Sequence, residues 1–96
     1  MKIEWLPEAE RNRASQIAYI AERNPQAAID MGDAIEAAVA RLADNPESAP
    51  RGRVPGTREL VVTGTPYVVV YRIEPDAVVI LRVLHGAQRW PPAPEG

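Results

Sequence analysis

The sequence of 96 residues contains no cysteine and no phenylalanine, and it has one histidine, His85, and one lysine, Lys2. Without cysteine the chain forms no disulfide bond and offers no thiolate ligand to a metal. With one histidine it also lacks the ligands of a poly-histidine metal site. We therefore predict a protein with no metal and no cofactor, and the missing cysteines fit a cytoplasmic setting.

Long apolar segments are also missing from the sequence. The longest apolar run, Ala77 to Leu81, is far shorter than the roughly 20 residues that a membrane-spanning helix needs. Residues 1–5 lack the apolar stretch of a secretory signal peptide. We predict a soluble, cytoplasmic protein with a single domain over residues 1–90, followed by a proline-rich tail over residues 91–96.

Charge is unevenly distributed along the chain. The net charge is −2, but residues 1–48 carry 5 basic and 9 acidic side chains, whereas residues 49–96 carry 6 basic and 4 acidic ones. All the basic residues after Lys2 are arginines, whose planar fork suits carboxylate or phosphate. A genome that favours arginine codons is the alternative explanation. The negative balance argues against a constitutive nucleic-acid binder.

The first half of the chain predicts a strand and a helical hairpin. Residues 2–6 alternate polar and apolar side chains, which is typical of a short strand, and Pro7 occupies a favoured first helical position. Apolar residues at helical spacing continue to a turn at Asn24-Pro25, and a second apolar stripe runs to Leu42. One Asn-Pro turn between two helices predicts that they lie antiparallel.

The second half has the pattern of strands. Residues 59–62, 67–73 and 78–84 are strand candidates, and the last two are rich in β-branched residues on either side of a turn at residues 74–77. The predicted fold class is α+β in the order β-α-α-β-β-β. It consists of an N-terminal strand, an antiparallel helical hairpin on one face and a three-stranded antiparallel meander. The register of the meander stays open by one residue, which decides the faces that Arg72 and Arg82 occupy.

Three segments resemble the RelE/ParE superfamily of type II toxin–antitoxin toxins. They are Pro55–Leu60 at the entry to the sheet, Tyr67–Arg72 in its centre and Ile80–Trp90 at its end. They follow an opening strand and helical hairpin, with which family members also begin. The resemblance therefore covers essentially the whole chain.

The resemblance implies a toxin that is neutralised by a small antitoxin, whose C-terminal segment wraps the toxin and whose N-terminal part usually binds DNA. RelE-like members cut messenger RNA in the ribosome, whereas ParE-like members lack this chemistry and resemble poisons of DNA gyrase. The chain has no lysine after Lys2, no tyrosine after Trp90 and a negative net charge, which suits a ribosome binder poorly. It is therefore identified as closer to ParE, with gyrase as the expected target and no catalytic activity.

Two alternatives remain open. The first is a RelE-like endoribonuclease, in which Arg58 would match the arginine at the strand entry, Arg89 the C-terminal arginine, and His85 a general acid or base. Arg51 and Arg53 could then stand for the lysines of the preceding loop. The second alternative is a non-toxic binding module derived from the family.

For the ParE-like interpretation, the sequence predicts a set of partner-contacting residues rather than a catalytic site. Arginines suit an acidic antitoxin segment, and tryptophan is enriched at binding hot spots. The predicted partner-binding residues are Arg51, Arg53, Arg58, Arg89 and Trp90. Trp90 could instead fold back over the edge of the core. Arg82, inside an apolar strand, is predicted to pair with Glu59 or Glu74, because an unpaired buried charge is costly.

Overall fold

The computed structural model describes residues 1–86 and 88–92. The elements are β1 (Lys2–Trp5), α1 (Pro7–Ala21), α2 (Pro25–Leu42), β2 (Arg58–Val61), β3 (Tyr67–Ile73) and β4 (Ala77–His85). The predicted order and the α+β class are confirmed. Both helices begin at the predicted prolines, β3 has the predicted limits, and the limits of the other three strands differ from the prediction by at most one residue. Part of the predicted proline-rich tail, residues 93–96, lies outside the described residues.

The four strands form one mixed sheet in the order β1-β4-β3-β2. β2, β3 and β4 make the predicted antiparallel meander. β1 lies beside β4 and runs parallel to it, a pairing that the sequence pattern left unspecified. β1 pairs only with residues 77–80, so the second half of β4 extends beyond it.

The core lies between the helical hairpin and one face of the sheet. α2 supplies most of the buried helical side chains, whereas Ala9 is the buried residue of α1. The side chain of Asn24 begins α2 as an N-cap, since its Oδ1 accepts a hydrogen bond from the Ala27 amide at 3.1 Å. The buried cluster of the sheet comprises Tyr67, Val69, Tyr71, Val78, Ile80 and Val83. Within the described part of the chain, no helix is long and apolar enough to cross a membrane.

A β-bulge in β4 settles the register of the meander. Val70 pairs with Arg82 while Tyr71 pairs with Ile80, so Leu81 is an extra residue on β4. Tyr71 faces the helices as part of the core, and alternation places Val70 on the opposite face, which we call the outer face. Arg82 lies on the outer face as well, because it is the partner of Val70.

The predicted pairing of Arg82 with Glu59 or Glu74 is wrong. Glu59 pairs with Arg53 at 2.8 Å, and Glu74 pairs with Arg72 at 2.7 Å. Arg82 is half-buried on the outer face. Its charge therefore keeps part of its contact with water, and it also interacts electrostatically with the Glu8 carboxylate.

Trp90 is what Arg82 contacts instead. The Arg82 guanidinium lies 5.5 Å from the centroid of the Trp90 ring, within cation–π range, and it also donates to the Leu81 carbonyl at 2.6 Å. Trp90 is half-buried, and its indole Nε1 is buried with no hydrogen-bond partner within residues 1–86 and 88–92. This contact holds Trp90 back against the outer face, and its role in partner binding stays a prediction.

Candidate partner-binding site

The segment between α2 and β2 forms a tight hairpin of its own. Pro55-Gly56 lies at its tip, and Gly56 has a φ of 83°, a conformation that favours glycine. The Thr57 amide donates to the Val54 carbonyl at 3.1 Å, and the Thr57 hydroxyl donates to the same oxygen at 2.6 Å. The hairpin therefore has a fixed shape rather than that of an open loop.

The two arms of this hairpin bring Arg51 and Arg58 opposite each other in an antiparallel bridge. Arg58 is half-buried, and its Nη1 donates to the carbonyls of Ala49 at 2.7 Å and Glu47 at 3.3 Å. Arg51 is exposed. The bridge thus contains one arginine that ties the loop to β2 and one that faces solvent.

Arg53 is fastened to Glu59 by both its backbone and its side chain. Its amide donates to Glu59 Oε2 at 2.7 Å, and its Nη2 donates to Glu59 Oε1 at 2.8 Å. These hydrogen bonds lower the pKa of the Glu59 carboxyl and raise that of the Arg53 guanidinium. Gly52 allows this close approach, since a Cβ there would come within 2.6 Å of the Thr57 hydroxyl.

A cavity of about 340 Å³ opens between the hairpin and the sheet. Among residues 1–86 and 88–92, its charged lining side chains are those of Arg51 and Arg58, which make it cationic. The arginine fork and the surrounding loop suit a carboxylate or a phosphate group. The lining residues are Arg51, Gly52, Val54, Pro55, Gly56, Thr57, Arg58 and Ile73.

The outer face carries a row of residues that runs from the hairpin at Arg53 to Trp90. Glu59 pairs with Val70, and Val70 pairs with Arg82, so these residues lie side by side across three strands. Arg53 is held at one end of this row by Glu59, and Trp90 stacks on Arg82 at the other end. Neighbouring strands are about 4.8 Å apart, so the backbones of Glu59 and Arg82 lie about 10 Å apart across the sheet. Two predicted partner-binding residues, Arg53 and Trp90, are thereby brought to one face.

His85 lies at a different place, at the end of β4. Its ring contacts Tyr67 edge-to-face with centroids 6.0 Å apart, and burial raises the pKa of the Tyr67 phenol. Arg58 pairs with Tyr71, whereas His85 pairs with Tyr67, four residues away on β3. Four residues of strand span about 13 Å, so the structure does not bring Arg58 and His85 around one point. Arg89 is exposed beyond β4.

Two members of this surface were not predicted from the sequence, Glu59 as the anchor of Arg53 and Arg82 as the support of Trp90. The available signal was the alternation of β2, which places Glu59 on the face opposite Leu60, a residue packed against the core. Neither pairing is visible in the spacing of the residues. No group of three or more histidine or acidic side chains among the described residues could hold a metal ion.

Acidification is expected to release the Arg53–Glu59 contact. Since the folded-state pKa of Glu59 lies below its ordinary value of 4.5, the carboxylate stabilises the fold above pH 4.5. This contribution disappears as the pH falls through the lowered pKa. We expect the stability difference between wild type and Glu59→Gln, measured by urea unfolding, to be constant near neutral pH and to shrink below pH 4.5.

Glu74→Gln, at an exposed ion pair with a single hydrogen bond, is the control with a smaller difference throughout. A Glu59→Gln difference that does not change with pH would contradict the prediction.

Comparison with known proteins identifies relatives along nearly the whole chain. A family model described as the ParE toxin of the type II toxin–antitoxin system parDE matches residues 3–90. Y4kP of Sinorhizobium fredii, which carries the provisional name of a toxin, is 42% identical over 90 residues, covering 94% of this chain and 93% of the relative. Toxin RelE1 of Caulobacter vibrioides is 34% identical over 85 residues, covering 84% and 88%.

A solved structure shows the same fold. A chain from the chromosomal ParDE toxin–antitoxin system of P. aeruginosa superimposes with a TM-score of 0.77 over 86% of this chain and 92% of that one. The two sequences are 23% identical, so this likeness concerns the arrangement of the helices and strands.

Proposed function

The chain belongs to the ParE toxin family of type II toxin–antitoxin systems, and we propose that it arrests growth by inhibiting DNA gyrase and is neutralised by a cognate antitoxin. The observation that carries the proposal is the match of the ParE family model to residues 3–90. In this proposal the protein acts by binding its target, without a cofactor and without catalysis of its own.

The antitoxin is proposed to contact the hairpin between α2 and β2 and the outer face of the sheet. Exposed Arg51 beside the cavity offers a fork for a carboxylate of an acidic antitoxin segment. Arg53 and Trp90 present a cation and an aromatic surface on one face, a combination typical of binding hot spots. Arg89 remains a proposed contact because it is exposed in the segment after β4. Arg58 contributes mainly by holding Arg51 in place.

Three features of the site count against the RelE-like nuclease. Cleavage of RNA needs a cation and a proton carrier around the same phosphate. Arg58 already donates to two backbone carbonyls, and His85 lies about 13 Å away along the sheet. The third feature is the absence of lysine from the loop, where the Arg53 side chain is paired with Glu59.

Induced expression of the chain alone in a sensitive bacterium tests the proposal, with the DNA damage response and global translation scored separately. Gyrase inhibition is expected to give growth arrest and a damage response while translation continues. Prompt loss of translation with cut messages would replace the proposal by the nuclease alternative. Soluble protein without arrest would leave the non-toxic binding module.

The His85→Ala variant sharpens this comparison. Because His85 has no catalytic part in the proposal, the variant is expected to arrest growth as wild type does. A nuclease that uses His85 as its acid or base would lose toxicity and keep its antitoxin binding. Co-expression of the proposed cognate antitoxin is the control for neutralisation.

A further inference from the structure

On the edge opposite β3, only the first half of β4 has a neighbouring strand. Residues 77–80 pair with β1, and the Leu6 amide donates to the Ile80 carbonyl at 3.0 Å, where the pairing ends. From Leu81 to His85, β4 stays paired with β3 on one edge, but no other strand among residues 1–86 and 88–92 lies along its opposite edge. A strand edge of this kind exposes backbone groups that can pair with another chain.

Two side chains of α1 occupy this edge. Asn12 Oδ1 accepts a hydrogen bond from the Val83 amide at 3.3 Å, and Gln16 Nε2 donates to the Val83 carbonyl at 2.7 Å. Asn12 and Gln16 are four residues apart, so they lie on the same side of the helix. Both backbone groups of one residue are thus satisfied from a single helix.

Gln88 bonds to the backbone groups of His85 on the same edge of β4. The His85 amide donates to Gln88 Oε1 at 3.3 Å, and the Gln88 amide donates to the His85 carbonyl at 2.8 Å. Val83 and His85 are two residues apart, as expected for groups that point to the same side of a strand. On the edge opposite β3, the backbone groups of Val83 and His85 are therefore both capped.

The chemistry of these caps is that of a neighbouring strand. In an antiparallel pair, a facing residue supplies one carbonyl acceptor and one amide donor. Asn12 contributes an amide oxygen and Gln16 an amide NH₂, so together they supply the same two groups. Apolar side chains at these positions would leave both groups of Val83 without these partners.

We propose that Asn12 and Gln16 act as a substitute for one strand residue and prevent the chain from pairing through β4 with a second copy of itself. The alternative pairing is antiparallel, with the two Val83 residues facing each other across a two-fold axis, since identical edges can then satisfy one another. The groove of about 560 Å³ that these side chains line, beside Tyr67 and His85, would receive the incoming strand.

The double variant Asn12→Ala/Gln16→Ala tests this proposal on the isolated full chain. In dilute solution its Val83 amide is expected to exchange with solvent roughly fivefold to tenfold faster than in wild type. At higher concentration the variant is expected to dimerise in sedimentation experiments, and protection of the Val83 amide should return. Wild type is expected to stay monomeric with a slowly exchanging Val83 amide.

Ser15→Ala is the matched control, because Ser15 lies on the same helix and lines the same groove. It is expected to behave as wild type in both measurements. A folded double variant with unchanged Val83 exchange, or one that stays monomeric at all concentrations, would overturn the proposal.

If the double variant does not fold, Gln16→Glu tests the carbonyl half of the cap with little change in shape, since its carboxylate cannot donate to the Val83 carbonyl. Ser15→Glu adds the same charge on the same helix. Dimerisation of Gln16→Glu alone supports the proposal, and identical monomeric behaviour of the two variants overturns it.

Discussion

Replacing Tyr71 by alanine is expected to lower the free energy of unfolding by about 3–5 kcal/mol, the usual cost of removing a large buried ring. Tyr71 is fully buried in the core cluster, on the face of the sheet that packs against the helices. Small domains have a total stability of about 5–15 kcal/mol, so the variant should be close to unfolding. Urea unfolding followed by circular dichroism measures the change.

The Tyr71 hydroxyl adds a second contribution that can be separated from the ring. It donates to the Pro46 carbonyl at 2.5 Å, which links β3 to the segment just after α2. Tyr71→Phe keeps the ring and removes this bond, for an expected loss of about 1 kcal/mol. Equal losses in Tyr71→Phe and Tyr71→Ala would mean that the hydroxyl, and not the packing of the ring, stabilises this part of the fold.

Replacing Arg58 by methionine is expected to cost about 1.5–3 kcal/mol, the range for hydrogen bonds made by a charged group. The variant keeps the aliphatic stem but leaves the carbonyls of Glu47 and Ala49 without their donor. Because Arg58 ties the loop after α2 to β2, we also expect faster amide exchange throughout residues 47–57. Urea unfolding and hydrogen exchange provide the two measurements.

Arg51→Met is the matched control for Arg58→Met, since the two arginines face each other in one bridge. Arg51 is exposed, so its replacement should change stability by no more than about 0.5 kcal/mol. If Arg51 contacts the antitoxin as proposed, antitoxin affinity should fall by roughly tenfold, measured by titration calorimetry. A loss of stability in Arg51→Met, or none in Arg58→Met, would reverse the roles assigned to these residues.

Local signals in the sequence were sufficient for the secondary structure and the fold class. Pro7 and Pro25 mark the first turns of both helices, and the apolar stripe of α2 became its buried face. The β-branched runs became β3 and β4 because their side chains suit a sheet with apolar residues on both faces. The resemblance to RelE/ParE toxins added the family, which the comparison over residues 3–90 confirmed.

The sequence also identified arginines of the loop as candidates for partner contact, but it could not distinguish their environments. Arg51, Arg53 and Arg58 are the same residue type within eight positions. One is exposed, one is fastened to Glu59, and one donates to two carbonyls. These differences arise from the path of the hairpin, which brings distant backbone groups within hydrogen-bond reach.

The sequence by itself determined the elements, their order and the family, since propensity, helical spacing and alternation act between residues that are close along the chain. Only the tertiary structure decided the parallel position of β1, the contact of Arg82 with Trp90, the separation of Arg58 from His85 and the capping of Val83 by α1. Each of these depends on which strands become neighbours and on a one-residue bulge in β4. Such pairings are fixed by the burial of the whole sheet against the hairpin, and no short stretch of sequence contains that information.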